Sequence, residues 1–326
     1  MGTIVTQAYK AIENIVGSRY ISDDPAIMQG YKSGPGGYEA GLGYERVMTV
    51  LPAAVALPKD ADELQRIVKI CARYNVPYVP YATGFYGPKT HCHVDDELII
   101  DMKRMQYFNW DEKHMFADIG PGIIYSSLQQ EAFNKGCYGV IGGGGAQCSA
   151  IANLLGDGWS PISLKIGLPH RRILGTELVL PDGELVKMGS LATSDDPFWG
   201  EGPGPDLRGI LRGFTGLRGC MGTVTRMAVK YLPLIQDCPK PQGVAPNTSL
   251  ALDERRIRWI NFQVPTKANQ VQAMYEIGAA EICAACTKVP VFWRAIAKAE
   301  DKEEFWDIWL KESEESLKNF HLVRVL

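Results

Sequence analysis

Apolar and polar positions alternate along the chain with two periods, one suited to helices and one to strands. From Ile4 to Val16 the residues Ile4, Val5, Ala8, Ile12, Ile15 and Val16 recur at helical spacing, and Gly17 supplies a stop. After a loop rich in Gly and Tyr from Lys32 to Tyr44, Ala53 to Leu57 reads as a short buried strand ending at Pro58. Asp60 and Glu63 have capping-box spacing, and Leu64, Ile67, Val68, Cys71 and Ala72 form the buried stripe of the helix they open. Pro77 to Pro80 is the next strand and completes a β-α-β unit. The expected consequence is a parallel pair joined by a right-handed crossover.

Further strands are predicted over Glu97 to Met102 and Phe116 to Ile119, and a helix from Tyr125 to Lys135 closed by Gly136. Glu177 to Lys187 has two strand-like arms about Asp182-Gly183, a hairpin signal. Val224 to Leu232 alternates as a strand and stops at Pro233. Mixed elements of this kind make residues 44–235 an α+β domain, preceded by a helical extension over 1–43. Gln236 to Ser249 carries three prolines and reads as a connector. Beyond it lie a strand (Arg258 to Val264), an Ala-rich helix (Asn269 to Thr287) and a charged segment with Trp306, Trp309 and Phe320. Residues 236–326 thus read as the start of a second, incomplete α+β domain.

Composition narrows the function. The chain has 326 residues, of which 46% are hydrophobic and 22% charged, and this excludes wholesale disorder. Its 34 basic and 37 acidic residues give a net charge of -3, so there is no basic field to collect nucleic acid. Eight scattered cysteines and no cleavable apolar leader fit a reducing compartment, and the expected location is cytoplasmic. Val47 to Leu57, broken by Pro52, is too short to insert into a membrane.

Three Gly-rich stretches invite a phosphate ligand, because small residues let backbone N–H groups crowd around an anion. They are Ala82 to Gly87, Gly142 to Gly145 running on to Gly156-Asp-Gly158, and Gly213 to Gly222. None is a G-x-G-x-x-G after a strand, and Gly87-Pro-Lys89-Thr90 departs from a P-loop at Ala82 and Pro88.

Taken in order, these segments resemble the FAD-binding domain of the vanillyl alcohol oxidase and p-cresol methylhydroxylase superfamily, in its FAD-linked oxidase branch. The resemblance runs from about Tyr44 to Pro233. It is carried by Ala53 to Pro58, Val76 to Pro80, Tyr81-Ala-Thr-Gly84-Phe-Tyr86, Leu98 to Met105, Ile119-Gly-Pro-Gly122, Lys165-Ile-Gly167 with Arg171 to Gly183, and Gly219 to Thr225. Tyr81-Ala-Thr-Gly84 stands where the family usually has Arg-Gly-Gly-Gly, and Leu154-Leu155 replaces a polar pair.

The resemblance implies a two-subdomain α+β fold of p-cresol methylhydroxylase type, followed by a partial substrate domain, and non-covalently bound FAD. It places the pyrophosphate against Tyr81, Ala82, Thr83, Gly84, Phe85 and Tyr86. Pro121, Gly122, Gly156, Gly158, Gly219, Gly222 and Val224 would line flavin or adenosine. The implied activity is an oxidoreductase that moves a hydride from an alcohol or 2-hydroxy acid to flavin N5 and passes electrons to an acceptor or partner subunit. An electron-transfer FAD subunit and an enzyme resembling alkylglycerone-phosphate synthase are the alternatives.

His170 and Lys165 are the catalytic candidates, each weighed against an ordinary solvent-facing loop position. His91 and His93 invite a metal or a covalent flavin link, but with Cys92 opposite and no second ligand pair they read as a loop pair, and no metal is expected. Cys283-Ala-Ala-Cys286 falls within the predicted Ala-rich helix and reads as core packing. Trp306 and Trp309 are expected to pack a domain or partner face.

Overall fold

The computed structural model describes residues 3–32, 50–84, 94, 96–139, 145–156, 160, 162–194, 208–211, 219, 221–234, 241–244, 247–250, 258–288, 295, 298–319 and 321–325. The chain divides into two units, Met1–Gly158 with Pro169–Ile235, and Trp159–Leu168 with Gln236–Leu326.

The first unit opens with α1 (Thr6–Val16), β1 (Ile21–Ser22) and α2 (Pro25–Gly30). Then come β2 (Ala54–Ala56), α3 (Ala61–Tyr74), β3 (Tyr78–Tyr81) and β4 (Leu98–Asp101). The predicted cap of α3 forms: Glu63 N donates to Asp60 Oδ1 at 2.9 Å, and Glu63 Oε2 accepts from Lys59 N at 2.9 Å. The sheet order β1-β2-β4-β3 corrects one expectation. β2 and β3 do not pair with each other; β4 lies between them, parallel to both. Burial gives the reason, since Leu98, Ile99 and Ile100 are wholly unexposed and a strand buried on both faces takes the centre. Leu98 and Ile100 pack on Leu64, Ile67 and Val68 of α3 and on Ala8 and Ile12 of α1, whereas Ile99 joins Val55, Val79 and Met28 of α2. The N-terminal helices are therefore part of this core. Arg104 ties the sheet edge by donating to Leu57 O at 2.6 Å and lying 3.4 Å from the centre of the Tyr20 ring.

A second sheet is antiparallel throughout, in the order β5-β6-β10-β8-β9. It comprises β5 (Phe108–Asp111) and β6 (Phe116–Ile119), then, after α4 (Tyr125–Asn134), β7 (Cys137–Tyr138) and α5 (Ala150–Leu155), the strands β8 (Ile173–Val179), β9 (Leu185–Gly189) and β10 (Thr223–Lys230). The hairpin at Asp182-Gly183 closes through Leu180 N to Glu184 O at 2.8 Å and Glu184 N to Asp182 Oδ1 at 2.9 Å. Ala117, Ile119, Met227 and Val229 cover one face together with Leu128 and Ala132 of α4 and Ile151 and Leu154 of α5. Buried Asp118 on β6 instead takes Arg226 of β10 as its partner. The last predicted strand breaks at Tyr231, after which β11 (Leu232–Pro233) turns to pair with β7.

In the second unit, β12 (Pro241–Val244) and β13 (Asn247–Leu250) form a hairpin where a connector was expected. Pro241 fits there because it is the first residue of its strand, in a two-stranded ribbon that leaves half of the backbone N–H groups outside the ladder. β14 (Ile260–Val264), α6 (Lys267–Ala279), β15 (Cys286–Lys288), α7 (Lys302–Asn319) and β16 (His321–Val325) complete it, with sheet order β14-β16-β15. The Ala-rich helix ends earlier than predicted: Glu281 adopts a left-handed conformation (φ +52°), and residues 286–288 pair with β16. Cys283 is buried in the intervening loop and Cys286 starts a strand, so the C-x-x-C lies outside the helix that was expected to carry it. Trp306 and Trp309 lie on α7 beside the ring of Phe305. Among the described residues no helix is long and apolar enough to cross a membrane.

Candidate functional site

Parallel strands deliver their following loops to one end of a sheet, and that is where ligands of α/β sheets collect. Here β3 ends at Tyr81 and β4 at Asp101, and a cavity of about 270 Å³ opens beyond them. Its wall is made by Ala82 and Thr83 after β3, Lys103 and Gln106 after β4, Gly122, Ile123 and Ile124 after β6, and Ser127 of α4. The two sheets of the first unit thus contribute to a single concavity.

The turn after β6 approaches the β4 segment very closely. A Cβ at Gly122 would stand 2.9 Å from Lys103 O and 3.0 Å from Met105 O, so only glycine fits without moving backbone. Gly122 N donates to Met105 O at 3.0 Å and Gly120 N to Tyr107 O at 2.8 Å. Ser149, at the start of α5, links three segments: its Oγ donates to Pro121 O at 3.0 Å and accepts from Ala152 N at 3.4 Å, and its backbone N donates to Thr83 Oγ1 at 3.3 Å. The first predicted loop and the turn after β6 are therefore joined through one serine.

The other predicted residues fall in several places. Tyr81, half-buried, meets the Tyr31 ring edge-on at 5.3 Å, and burial raises its phenol pKa, assisted by the Asp101 charge. Gly84 follows Thr83 in the described part of the first loop. Gly156 caps α5. Gly219 lies against the Pro80 ring at the end of β3. Gly222 enters β10 at φ +137°, with Val179 O only 2.5 Å from the place of a Cβ. Val224 is in the hydrophobic core under the antiparallel sheet. His170 is half-buried in the turn Pro169–Arg172, outside the cavity's lining. Lys165 is exposed on the short helix Ser163–Ile166 of the second unit. Phe85, Tyr86, His91, His93 and Gly158 lie outside the described residues.

Sequence reasoning passed over Tyr31, Asp101, Lys103, Gln106 and Ser127. Asp101 carried a signal, since it ends an apolar Leu-Ile-Ile run and is wholly unexposed. Tyr31 Oη donates to Asp101 Oδ2 at 2.6 Å, and Lys103 Nζ stands 2.7 Å from the same oxygen. Burial first, then the Asp101 hydrogen bond, pushes the Tyr31 phenol pKa far up. No cluster of three or more His, Cys, Asp or Glu able to hold a metal occurs among the described residues.

The cavity fits one section of a dinucleotide. It is smaller than the roughly 300–1,000 Å³ typical of a whole small-molecule site. Its wall offers hydroxyls (Thr83, Ser127), nitrogen donors (Lys103, Gln106) and apolar surface (Ile123, Ile124), with backbone brought close at Gly122. Asn153 Oδ1 on α5, outside the cavity's lining, is buried without a hydrogen-bond partner among the described residues.

A family model described as FAD binding domain matches residues 52–189. Glycolate oxidase subunit GlcD of Bacillus subtilis is 29% identical over 185 residues, covering 56% of this chain and 37% of its own length. The mitochondrial D-lactate dehydrogenase [cytochrome] of Arabidopsis thaliana is 26% identical over 235 residues, covering 65% of this chain and 39% of its own length. The chain thus spans under two fifths of the length of these curated relatives. Among solved structures, substrate-bound p-cresol methylhydroxylase has a TM-score of 0.68 at 15% identity, over 99% of this chain and 61% of that one. An alkyldihydroxyacetonephosphate synthase has a TM-score of 0.69 at 19% identity, over 99% and 56%. At such identities the likeness is one of fold.

Proposed function

From the premise that this chain carries an FAD binding domain of the p-cresol methylhydroxylase type, with FAD as its cofactor, we propose that it is an oxidoreductase acting on a 2-hydroxy acid or related alcohol. Bound FAD supplies a two-electron acceptor, which none of the amino-acid side chains provides. The supporting observation is that Ala82, Thr83 and Gly122 line one cavity at the strand ends, with Ser149 bonded to Thr83 and to Pro121.

In this reading the loop from Tyr81 to Tyr86 holds the diphosphate, with Ala82 and Thr83 as its described wall. Gly122 keeps the second wall free of side chain, and Ser149 holds the two walls in register. Pro121, Gly156, Gly158, Gly219 and Gly222 are the residues proposed for the remainder of the dinucleotide. The names of the relatives support the substrate class, since glycolate and D-lactate are both 2-hydroxy acids. A D-2-hydroxyglutarate dehydrogenase of Stutzerimonas stutzeri, 24% identical over 181 residues, belongs to the same chemical group. Glycolate oxidase GlcD is named as a subunit, which supports transfer of electrons to a partner or separate acceptor.

The test is anaerobic reduction. The FAD-loaded protein is mixed with a panel of 2-hydroxy acids and simple alcohols, with and without an added dye acceptor, and flavin absorbance is followed. Bleaching by a hydroxy acid is the expected result. FAD-loaded protein that no member of the panel reduces would remove the dehydrogenase reading and leave the electron-relay alternative.

A further inference from the structure

The diphosphate is the only part of FAD that carries formal negative charge, so a fixed cation in the cavity wall would be selective for it. Among the described residues of the lining, Lys103 is the one lysine or arginine. It is fixed by an unusual arrangement. Asp101 is wholly buried at the end of β4 and needs neutralising partners. It finds Tyr31 Oη at 2.6 Å, Lys103 Nζ at 2.7 Å and Lys103 N at 3.0 Å. Lys103 Nζ also donates to Tyr31 Oη at 3.2 Å and lies 5.3 Å from the centre of that ring. An ammonium has three protons; Asp101 and Tyr31 take two, and no described residue accepts the third. The side chain is 54% exposed, so it is reachable from outside.

We propose that Lys103, held by Asp101 and by Tyr31 from the segment ahead of the matched domain, donates its third proton to a diphosphate oxygen of FAD. The proposal rests on the FAD reading above. It adds a side-chain cation to a loop whose own described residues, Tyr81 to Gly84, carry none. It also gives residues before position 52, where the family match begins, a role at the site. Tyr31 is a positioning residue: it orients the ammonium and stays a neutral phenol. A carboxylate of the substrate has the same anionic chemistry, and the arms of the experiment separate the two sources.

Apoprotein of the full chain is titrated with FAD and, separately, with riboflavin, which has no phosphate, and binding is followed by flavin fluorescence. Removing a charge-assisted hydrogen bond with Lys103→Met is expected to weaken FAD binding by about 10- to 100-fold and to leave riboflavin unchanged. Lys103→Arg is expected to keep most of the FAD affinity, and the salt dependence of FAD binding should flatten in the Met variant. Circular dichroism and thermal melting check the fold, and Lys103→Gln replaces the Met variant if that one is unfolded. FAD affinity equal to wild type overturns the proposal, as does a parallel loss of riboflavin. An unchanged FAD affinity with a raised KM for a hydroxy acid assigns Lys103 to the substrate and likewise overturns it. Wild-type protein that binds neither flavin defeats the underlying FAD reading, a result distinct from any variant effect.

Discussion

Replacing Arg226 by Met strands a carboxylate inside the antiparallel sheet. Asp118 has no exposed surface, while the Arg226 side chain is 26% exposed. Arg226 Nε reaches the two carboxylate oxygens at 3.0 and 2.8 Å, and Nη2 also bonds Oδ2. The hydrogen bond with Asp118 is the main reason the guanidinium holds its proton more tightly than usual. Without Arg226 the one side-chain partner left to the carboxylate among the described residues is the Tyr107 hydroxyl at 3.4 Å. The expected loss is about 3–5 kcal/mol, the cost of an unpaired buried charge. Asp118→Asn should cost less, about 1–2 kcal/mol, because Arg226 retains an amide acceptor and can turn toward water. The double variant should cost clearly less than the sum of the two. Urea unfolding at neutral pH measures all three, with the dependence on urea kept constant across the series. An Arg226→Met variant within about 1 kcal/mol of wild type, or one less affected than Asp118→Asn, would refute the argument from asymmetric burial.

Gly222→Ala should destabilise by about 2–4 kcal/mol in thermal or urea unfolding, because φ +137° and a Cβ 2.5 Å from Val179 O combine backbone strain with a clash. Ser149→Ala loses the bond to Pro121 O and the cap on Ala152 N, so about 1–2 kcal/mol of stability and part of the FAD affinity should go together. The Asp111 carboxyl is held below its usual 3.8, mainly by the His114 side-chain hydrogen bond at 2.9 Å. That contribution is fully present above the usual value and disappears as pH falls through the depressed one. An NMR titration should show the low value in wild type and its return toward normal in His114→Ala; identical titrations in both would contradict it.

Local chemistry made much of the fold legible. Asp60 and Glu63 announce α3, Gly17 and Gly136 mark helix ends, and Asp182-Gly183 makes the β8-β9 hairpin, because each acts through neighbours in the chain. Strand order was not legible. Nothing in the periodicity of Ala54–Ala56 or Tyr78–Tyr81 shows that Leu98–Asp101 will come between them, since that follows from total burial. The Ala-rich helix stops short of its predicted end because helix propensity near Cys283 gives way to pairing of Cys286–Lys288 with β16. The glycine pattern and the resemblance single out Ala82, Thr83 and Gly122, and these three line the cavity. Lys103 and Tyr31 were missed because their partnership spans 72 positions of sequence and depends on one buried aspartate.

A crystal structure of the full chain grown with FAD bears most directly on whether these loops hold a flavin dinucleotide. Diphosphate density against Ala82 and Thr83, with Gly122 facing the bound molecule, is the predicted result. FAD bound elsewhere, or a cavity at the ends of β3 and β4 filled by the protein's own side chains while FAD is present in excess, would contradict it.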